Sequence, residues 1–330
     1  MKEHFEKLLE GSRLTTEEAH ALMLSALSEP INQSLVASFL TILRVQGVTV
    51  DELQGFCGAL MELASPINLG CDDLIDVCGT GGDNKGTFNI STATAFILAA
   101  AGYKVAKHGN YAVSSSCGSS NVLEAVGIPL EAESEKLQKR LAHANVCFLH
   151  APLFHPAMKR VAPIRKELGF RTVFNMLGPL VNPARPQVQV HGVYDRALLR
   201  RYGHLLRRQG KRFAAFYSTD GYDEVTLTAP LAVVSHRGEH ELMPSDFGLE
   251  HVDPATIQGG RTIEESALML KAILSGNATQ AQESVVAASA GLAMWIREEN
   301  GTLIEHVERA REIVRTGAAN RILERSIAQL

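Results

Sequence analysis

The chain has 330 residues, 45% hydrophobic and 21% charged, with a formal net charge of −4. That length leaves room for two domains of the usual ~100–200 residues, and the negative balance argues against a nucleic-acid surface, which needs a basic field. The five cysteines (Cys57, Cys71, Cys78, Cys117 and Cys147) are scattered and form no C-x-x-C pair, so neither a zinc site nor a disulfide framework is expected. The charged start Met-Lys-Glu-His-Phe-Glu-Lys has no apolar signal region, and the longest uncharged runs, at 86–103 and 141–158, are broken by polar residues and do not read as a membrane span. A cytosolic protein with no membrane association is expected.

The first ~68 residues read as helices. Thr15-x-x-Glu18 and Thr49-x-x-Glu52 are capping boxes that each precede an apolar-periodic stretch. Asn32 is placed to cap a third helix over about Gln33 to Gln46, with Leu35, Phe39, Ile42 and Leu43 on one face. No strand signal appears before Leu74, and Pro66-Ile-Asn-Leu-Gly70 reads as an exit linker.

From Leu74 onward, β-prone stretches at 74–78, 103–106, 146–150, 188–194, 213–218 and 231–236 alternate with helical patterns. This predicts an α/β fold: a small helical N-terminal domain plus a larger α/β domain with a central, mostly parallel sheet flanked by helices. Residues 152–183 interrupt the alternation with His155-Pro156, Pro163, Gly178-Pro179 and Asn182-Pro183, all helix boundaries or turns. The last third is helical again, with capping boxes at Thr262-x-x-Glu265 and Thr302-x-x-Glu305.

The first β-prone stretch feeds Asp76-Val-Cys-Gly-Thr-Gly-Gly-Asp83, then Lys85-Gly-Thr-Phe-Asn-Ile-Ser-Thr92. Glycines let backbone N–H groups approach an anion without a Cβ in the way, and a helix N-terminus adds unpaired donors and partial positive charge. Ser91 or Thr92 is expected to start that helix, capping it or donating to an anion. The spacing fits neither G-x-x-x-x-G-K-[ST] nor G-x-G-x-x-G, which excludes the nucleoside-triphosphatase and dinucleotide readings. Taken alone, the turn could belong to any α/β protein.

A second segment, Lys107-His-Gly-Asn-Tyr-Ala-Val-Ser-Ser-Ser-Cys-Gly-Ser-Ser-Asn121, follows a strand and leads into a helix that begins near Ser119. Lys107 offers a point charge for a phosphate, Asn110 a donor and an acceptor, and Ser114, Ser115 and Ser119 hydroxyl donors. Ser119 is also a candidate helix cap.

These segments, with Ala162-Pro-Ile-Arg165, Arg171-Thr-Val-Phe-Asn-Met-Leu-Gly-Pro-Leu-Val-Asn-Pro183 and Asp223-Glu224, occur in an order and spacing that resemble the anthranilate phosphoribosyltransferase family over nearly the whole chain. The resemblance implies an enzyme that transfers the phosphoribosyl group of 5-phosphoribosyl 1-pyrophosphate to the amine of anthranilate, in tryptophan biosynthesis. It implies a helical domain over 1–68, joined by helices from about 152–183, an α/β domain over 69–330, and a homodimer formed through the N-terminal helices.

Carried over residue by residue, the family pattern gives contacts to phosphoribosyl pyrophosphate from Gly79, Gly82, Asp83, Thr87, Asn89, Ile90, Ser91 and Thr92. The same role extends to Lys107, His108, Gly109, Asn110, Tyr111, Ala112, Val113, Ser114, Ser115 and Ser119. Ser91, Asp223 and Glu224 are the implied ligands of two magnesium ions, as hard oxygen donors should be. Gly79, Asn110 and Arg165 are the implied anthranilate contacts; arginine suits a planar carboxylate. His108 and His155 are secondary candidates for that pocket, and no acid–base nucleophile is implied.

Two positions depart from the family. Tyr111 stands where an arginine is common, and Gly118-Ser-Ser-Asn121 where Gly-Ser-Ala-Asp is common. Loss of one charge-assisted hydrogen bond of about 1.5–3 kcal/mol predicts roughly ten- to a hundredfold weaker phosphoribosyl pyrophosphate binding, unless backbone amides carry the contact. The runner-up reading, a pyrimidine nucleoside phosphorylase, needs a base-recognition motif in place of Asn110 and Arg165. A silent nucleic-acid-binding relative needs a basic surface that this composition lacks.

Overall fold

The computed structural model describes residues 2–112 and 117–328. The chain divides into two compact units, Met1–Pro66 with Ala151–Pro183, and Ile67–His150 with Ala184–Leu330.

The first unit is helical. Thr15 and Thr49 each accept from the N–H three residues on while Glu18 and Glu52 return a carboxylate to the cap, and this starts helices Thr16–Leu27 and Val50–Glu62. These two helices pack closely: a Cβ on Gly55 would lie 2.3 Å from the Thr16 carbonyl oxygen. The Asn32 side chain caps helix Gln33–Gln46, whose buried face is Val36, Phe39, Leu40 and Leu43. Phe39 stacks edge-on against Phe56 with centroids 5.8 Å apart. Phe39 and Leu43, on the apolar face read from the sequence, lie in the core of their own unit. Helix Pro156–Leu168 belongs to the same unit and is tied to it by Arg160, which donates to the Leu27 carbonyl at 2.7 Å.

The second unit is built on one seven-stranded sheet: β1 (Leu74–Gly79), β2 (Lys104–Gly109), β3 (Val146–His150), β4 (Val188–Gly192), β5 (Arg212–Ser218), β6 (Leu231–Ser235) and β7 (Gly238–Leu242), in the order β3-β2-β1-β4-β5-β6-β7. The pairs among β1 to β5 are parallel, and β6 and β7 add antiparallel. The sequence pattern misses β7: Gly-Glu-His-Glu-Leu is a polar edge strand whose burial alternates between intermediate and exposed. Helix Ile90–Ala100 is apolar on nearly every side, from Ile90 to Ala99, and is accordingly buried all round. Its Phe96 packs against Phe148 of β3 at 5.3 Å between centroids.

Strand order reverses between β1 and β4, because the chain winds from β1 to β2 and β3 on one side and from β4 to β5 on the other. In open α/β sheets ligands bind outside the carboxyl ends of the strands at such a switch point. Here the paired residues at that point are two glycines, Gly79 and Gly192.

Candidate active site at the strand ends

Both glycines are there for the same reason. A Cβ on Gly192 would lie 1.7 Å from the Asp223 carbonyl oxygen, and one on Gly79 would lie 2.6 Å from Asp223 Oδ2. Only bare backbone at these two strand ends lets the loop after β5 fold down over the switch point. That loop is clamped from within by Asp220, which accepts from Ser218 Oγ and Thr228 Oγ1, both at 2.6 Å. Thr226 and Thr228 hydroxyls lie 2.7 Å apart, and the Ser218 N–H donates to the Tyr222 carbonyl.

The adjacent carboxylates of this loop serve two places. Asp223 Oδ2 accepts from the Gly81 N–H and, at 3.3 Å, from Thr80 Oγ1, so it faces the glycine turn after β1. Gly81 and Gly82 there adopt φ of 70° and 80°, in the left-handed region that glycine enters without penalty. Glu224 Oε1 accepts from the Ser91 N–H at 3.4 Å in the first turn of helix Ile90–Ala100. The helix begins at Ile90 with Asn89 at the N-cap, one residue before the expected start, and no side chain caps it. Asn89 instead donates to the Cys117 carbonyl at 3.1 Å, which ties the start of this helix to the serine-rich segment.

The charges at the site are out of balance. Burial pushes the Asp223 carboxyl well above its usual range, and the neighbouring Asp83 and Glu224 charges push it further. Burial likewise lifts Glu224 to about 7, against the opposing pull of Lys107 and Ser91. Among the described residues Asp83 Oδ2 is buried with no hydrogen-bond partner. Carboxyls forced together out of water are held ionised by a cation, and an all-oxygen set of this kind suits magnesium. Lys107 supplies part of that charge: its buried Nζ donates to the Val77 carbonyl at 2.6 Å and to Ser91 Oγ at 3.3 Å.

The remaining sequence candidates are distributed as follows. Thr87 is bridged to Gln258, and the Ile90 side chain lies in the core with its N–H donating to the Phe88 carbonyl. Thr92 is buried in the same helix. Gly109 ends β2 where a Cβ would meet Ser119 Oγ at 2.3 Å. Ser119 is not the cap of its helix; Gly118 is, and Ser119 Oγ donates to the Asn110 carbonyl at 3.2 Å. Asn121 Oδ1 accepts from both the Ala112 and Gly118 N–H groups at 3.0 Å. An asparagine oxygen makes these contacts as an aspartate would, so the Asn121 departure keeps the loop geometry. It also occupies the Ala112 amide.

Tyr111 is 41% exposed, stacks edge-on against His150 at 4.5 Å and reaches Glu124 Oε1 at 3.3 Å. The tyrosine thus packs against the end of β3 and the helix that follows its loop. The His108 N–H donates to Asp76 at 3.2 Å. Val113, Ser114 and Ser115 lie outside the described residues. Burial raises the Cys117 thiol, which leaves it unactivated as a nucleophile.

In the helical unit, Arg165 is half-buried over the Phe174 ring at 5.4 Å, and burial lowers its pKa. Among the described residues it has no carboxylate partner. His155 Nε2 lies 2.9 Å from the Val181 carbonyl, and burial lowers its pKa. That makes His155 a structural residue of its unit.

Sequence reasoning passed over Asp220 and Gly192. Gly192 carried a readable signal, a glycine at the end of an apolar strand; Asp220 looked like any turn residue.

Both units resemble known proteins. Residues 2–64 match the glycosyl transferase family helical bundle domain, and residues 71–320 match the a/b domain of the same family. The chain is 45% identical over 327 residues to an anthranilate phosphoribosyltransferase of Cytophaga hutchinsonii, covering 99% of this chain and 100% of that one. It is 46% identical to that of Flavobacterium psychrophilum, with 96% of each chain covered. Among solved structures, the anthranilate phosphoribosyltransferase of Thermus thermophilus superposes with a TM-score of 0.93 at 37% identity over 98% of both chains. The Saccharomyces cerevisiae enzyme in complex with PRPP and Mg superposes with a TM-score of 0.90 at 28% identity, covering 98% of this chain and 96% of that one.

Proposed function

Because the chain belongs to the glycosyl transferase family with a helical bundle domain and an a/b domain, we propose that it is an anthranilate phosphoribosyltransferase. It transfers the phosphoribosyl group of 5-phosphoribosyl 1-pyrophosphate to the amine of anthranilate, giving N-(5-phosphoribosyl)anthranilate and pyrophosphate in tryptophan biosynthesis. The observation that carries this reading is the Asp223–Glu224 pair, the first buried and the second partly so, forced toward neutrality and aimed at the glycine turn and the helix N-terminus. A neutral aromatic amine is already nucleophilic, so the site needs no strong base; it needs to position the ribose C1 and stabilise the leaving group.

The Gly79–Asp83 turn and the N-terminus of helix Ile90–Ala100 bind and orient the phosphates, and Lys107 adds a fixed positive charge behind Ser91. Asp223, Glu224 and Ser91 would hold magnesium, two ions in our reading because the two carboxylates point to different places. Bound there, magnesium neutralises charge on the departing pyrophosphate. The C1–O bond to pyrophosphate breaks, the C1–N bond forms, and the amine proton leaves to solvent. Arg165, Asn110 and Gly79 are assigned to anthranilate, with the unpaired guanidinium of Arg165 as grip on its carboxylate.

We assign the enzyme to the cytoplasm as a homodimer. Among the described residues no helix is long and apolar enough to cross a membrane. The dimer rests on family resemblance, and light scattering at micromolar concentration that gave a monomer mass would remove it. The activity test is direct. Anthranilate fluorescence should fall when the protein meets phosphoribosyl pyrophosphate and magnesium, and a steady signal with both present would overturn the reading.

A further inference from the structure

Lys85 follows the glycine turn, and its backbone N–H is anchored to Asp83 Oδ1 at 3.1 Å. Its ammonium lies over the Tyr222 ring, 4.8 Å from the centroid. The stem of the side chain runs along Gly221, where an added Cβ would meet Lys85 Cε at 3.5 Å. Tyr222 is 4% exposed and immediately precedes Asp223. The aromatic face therefore holds a cation between the glycine turn and the carboxylate loop, the two elements assigned above to the pyrophosphate. A cation–π contact of about 0.5–1 kcal/mol fixes such an ammonium without neutralising it. Among the described residues Lys85 makes no ion pair, although Asp220 and Asp83 both lie near enough to Tyr222 to add to the rise that burial gives its phenol.

The cradle is short of one positive charge, since Tyr111 stands where the family often has arginine and packs against His150 and Glu124. We propose that Lys85, steered by the Tyr222 ring, is a binding residue for the phosphate groups of phosphoribosyl pyrophosphate and supplies the charge that position 111 lacks. The substrate's phosphates are the counter-ion this ammonium lacks in the free protein. Binding then draws Lys85 from the ring to the ligand, an exchange favoured because a charge-assisted hydrogen bond to phosphate is stronger than a cation–π contact.

The inference rests on the activity proposed above, and the test separates the two. The unmodified protein is first assayed for magnesium-dependent loss of anthranilate fluorescence; no loss there would remove the proposed function itself. Given turnover, Lys85→Met should raise the KM for phosphoribosyl pyrophosphate about ten- to a hundredfold. It should leave the KM for anthranilate within twofold and the melting temperature unchanged, while Lys85→Arg keeps most of the affinity. The Lys85→Met penalty should shrink in a Tyr222→Leu background, as expected for residues that act together. A phosphoribosyl pyrophosphate KM unchanged in Lys85→Met, in a variant that melts like the parent, would overturn the assignment. So would equal increases in both KM values.

Discussion

Gly192 tests the geometry of the switch point most directly. Its backbone needs no left-handed conformation, so Gly192→Ala adds strain only through contact. The new methyl would sit 1.7 Å from the Asp223 carbonyl oxygen and 2.5 Å from its carbon. Ordinary van der Waals separation is about 3.5 Å, so the loop must retreat by about 1.5 Å or more. Overpacking of this kind costs about 1–3 kcal/mol, and a displacement near 1 Å in a catalytic group costs about a hundredfold in rate. The two effects read out separately. Thermal melting should fall by a few degrees, while the magnesium concentration for half-maximal anthranilate turnover should rise and kcat should fall by about two orders of magnitude. Gly178→Ala, at a glycine with nothing within 4 Å of the added Cβ, is the control and should do neither. Wild-type magnesium dependence and melting in Gly192→Ala would refute the claim that these strand-end glycines exist to seat the Asp223 loop.

Other expectations follow from the same contacts. Asp223→Asn with Glu224→Gln should abolish turnover with the circular dichroism spectrum preserved, and EDTA should reproduce the loss in the parent, reversibly with added magnesium. Glu224 titrates near 7 in the fold against a usual 4.5, so its proton stabilises the ligand-free protein fully below about pH 4.5 and that stabilisation is lost as pH rises through 7. Ligand-free melting temperature should therefore drop between about pH 5 and pH 7, and Glu224→Gln should flatten that drop. Lys107→Met should both weaken phosphoribosyl pyrophosphate binding and lower stability by about 1–3 kcal/mol, measured by urea titration, because it strands the buried Val77 carbonyl. Arg165→Ala should raise the KM for anthranilate about tenfold or more and leave that for phosphoribosyl pyrophosphate near its parent value.

Much of the fold could be read from the sequence because its local rules agree with each other. Thr15, Thr49 and Asn32 cap the helices expected of them, and all six β-prone stretches from Leu74 onward became strands. The misses share a cause: they depend on what lies opposite in space. β7 is polar and alternates weakly, and it is a strand because β6 offers it a ladder across the His236-Arg237 turn. Helix Gln33–Gln46 presents Val36, Phe39, Leu40 and Leu43 to its own unit. Periodicity found a stripe there but could not say what covers it.

The site divides along the same line. Residue types and order pointed to Asp83, Ser91, Lys107, Asp223 and Glu224, whereas the roles of their neighbours come from pairings across long sequence separations. Asn89 illustrates this: as a sequence feature it belongs to an anion-binding helix start, yet its amide is spent on the Cys117 carbonyl, 28 positions away. Asn121 shows the converse. Replacing the family's common aspartate looks like the loss of a charge, but the oxygen that organises the loop is retained, and two N–H groups converge on it. Tyr111 does lose a charge, and no neighbour in sequence restores it. The cation we propose in its place, Lys85, is 26 positions earlier in the chain and is held over the ring of Tyr222. Motif comparison position by position registers such a change as a deficit; only the folded arrangement shows where a charge of the same sign has been placed.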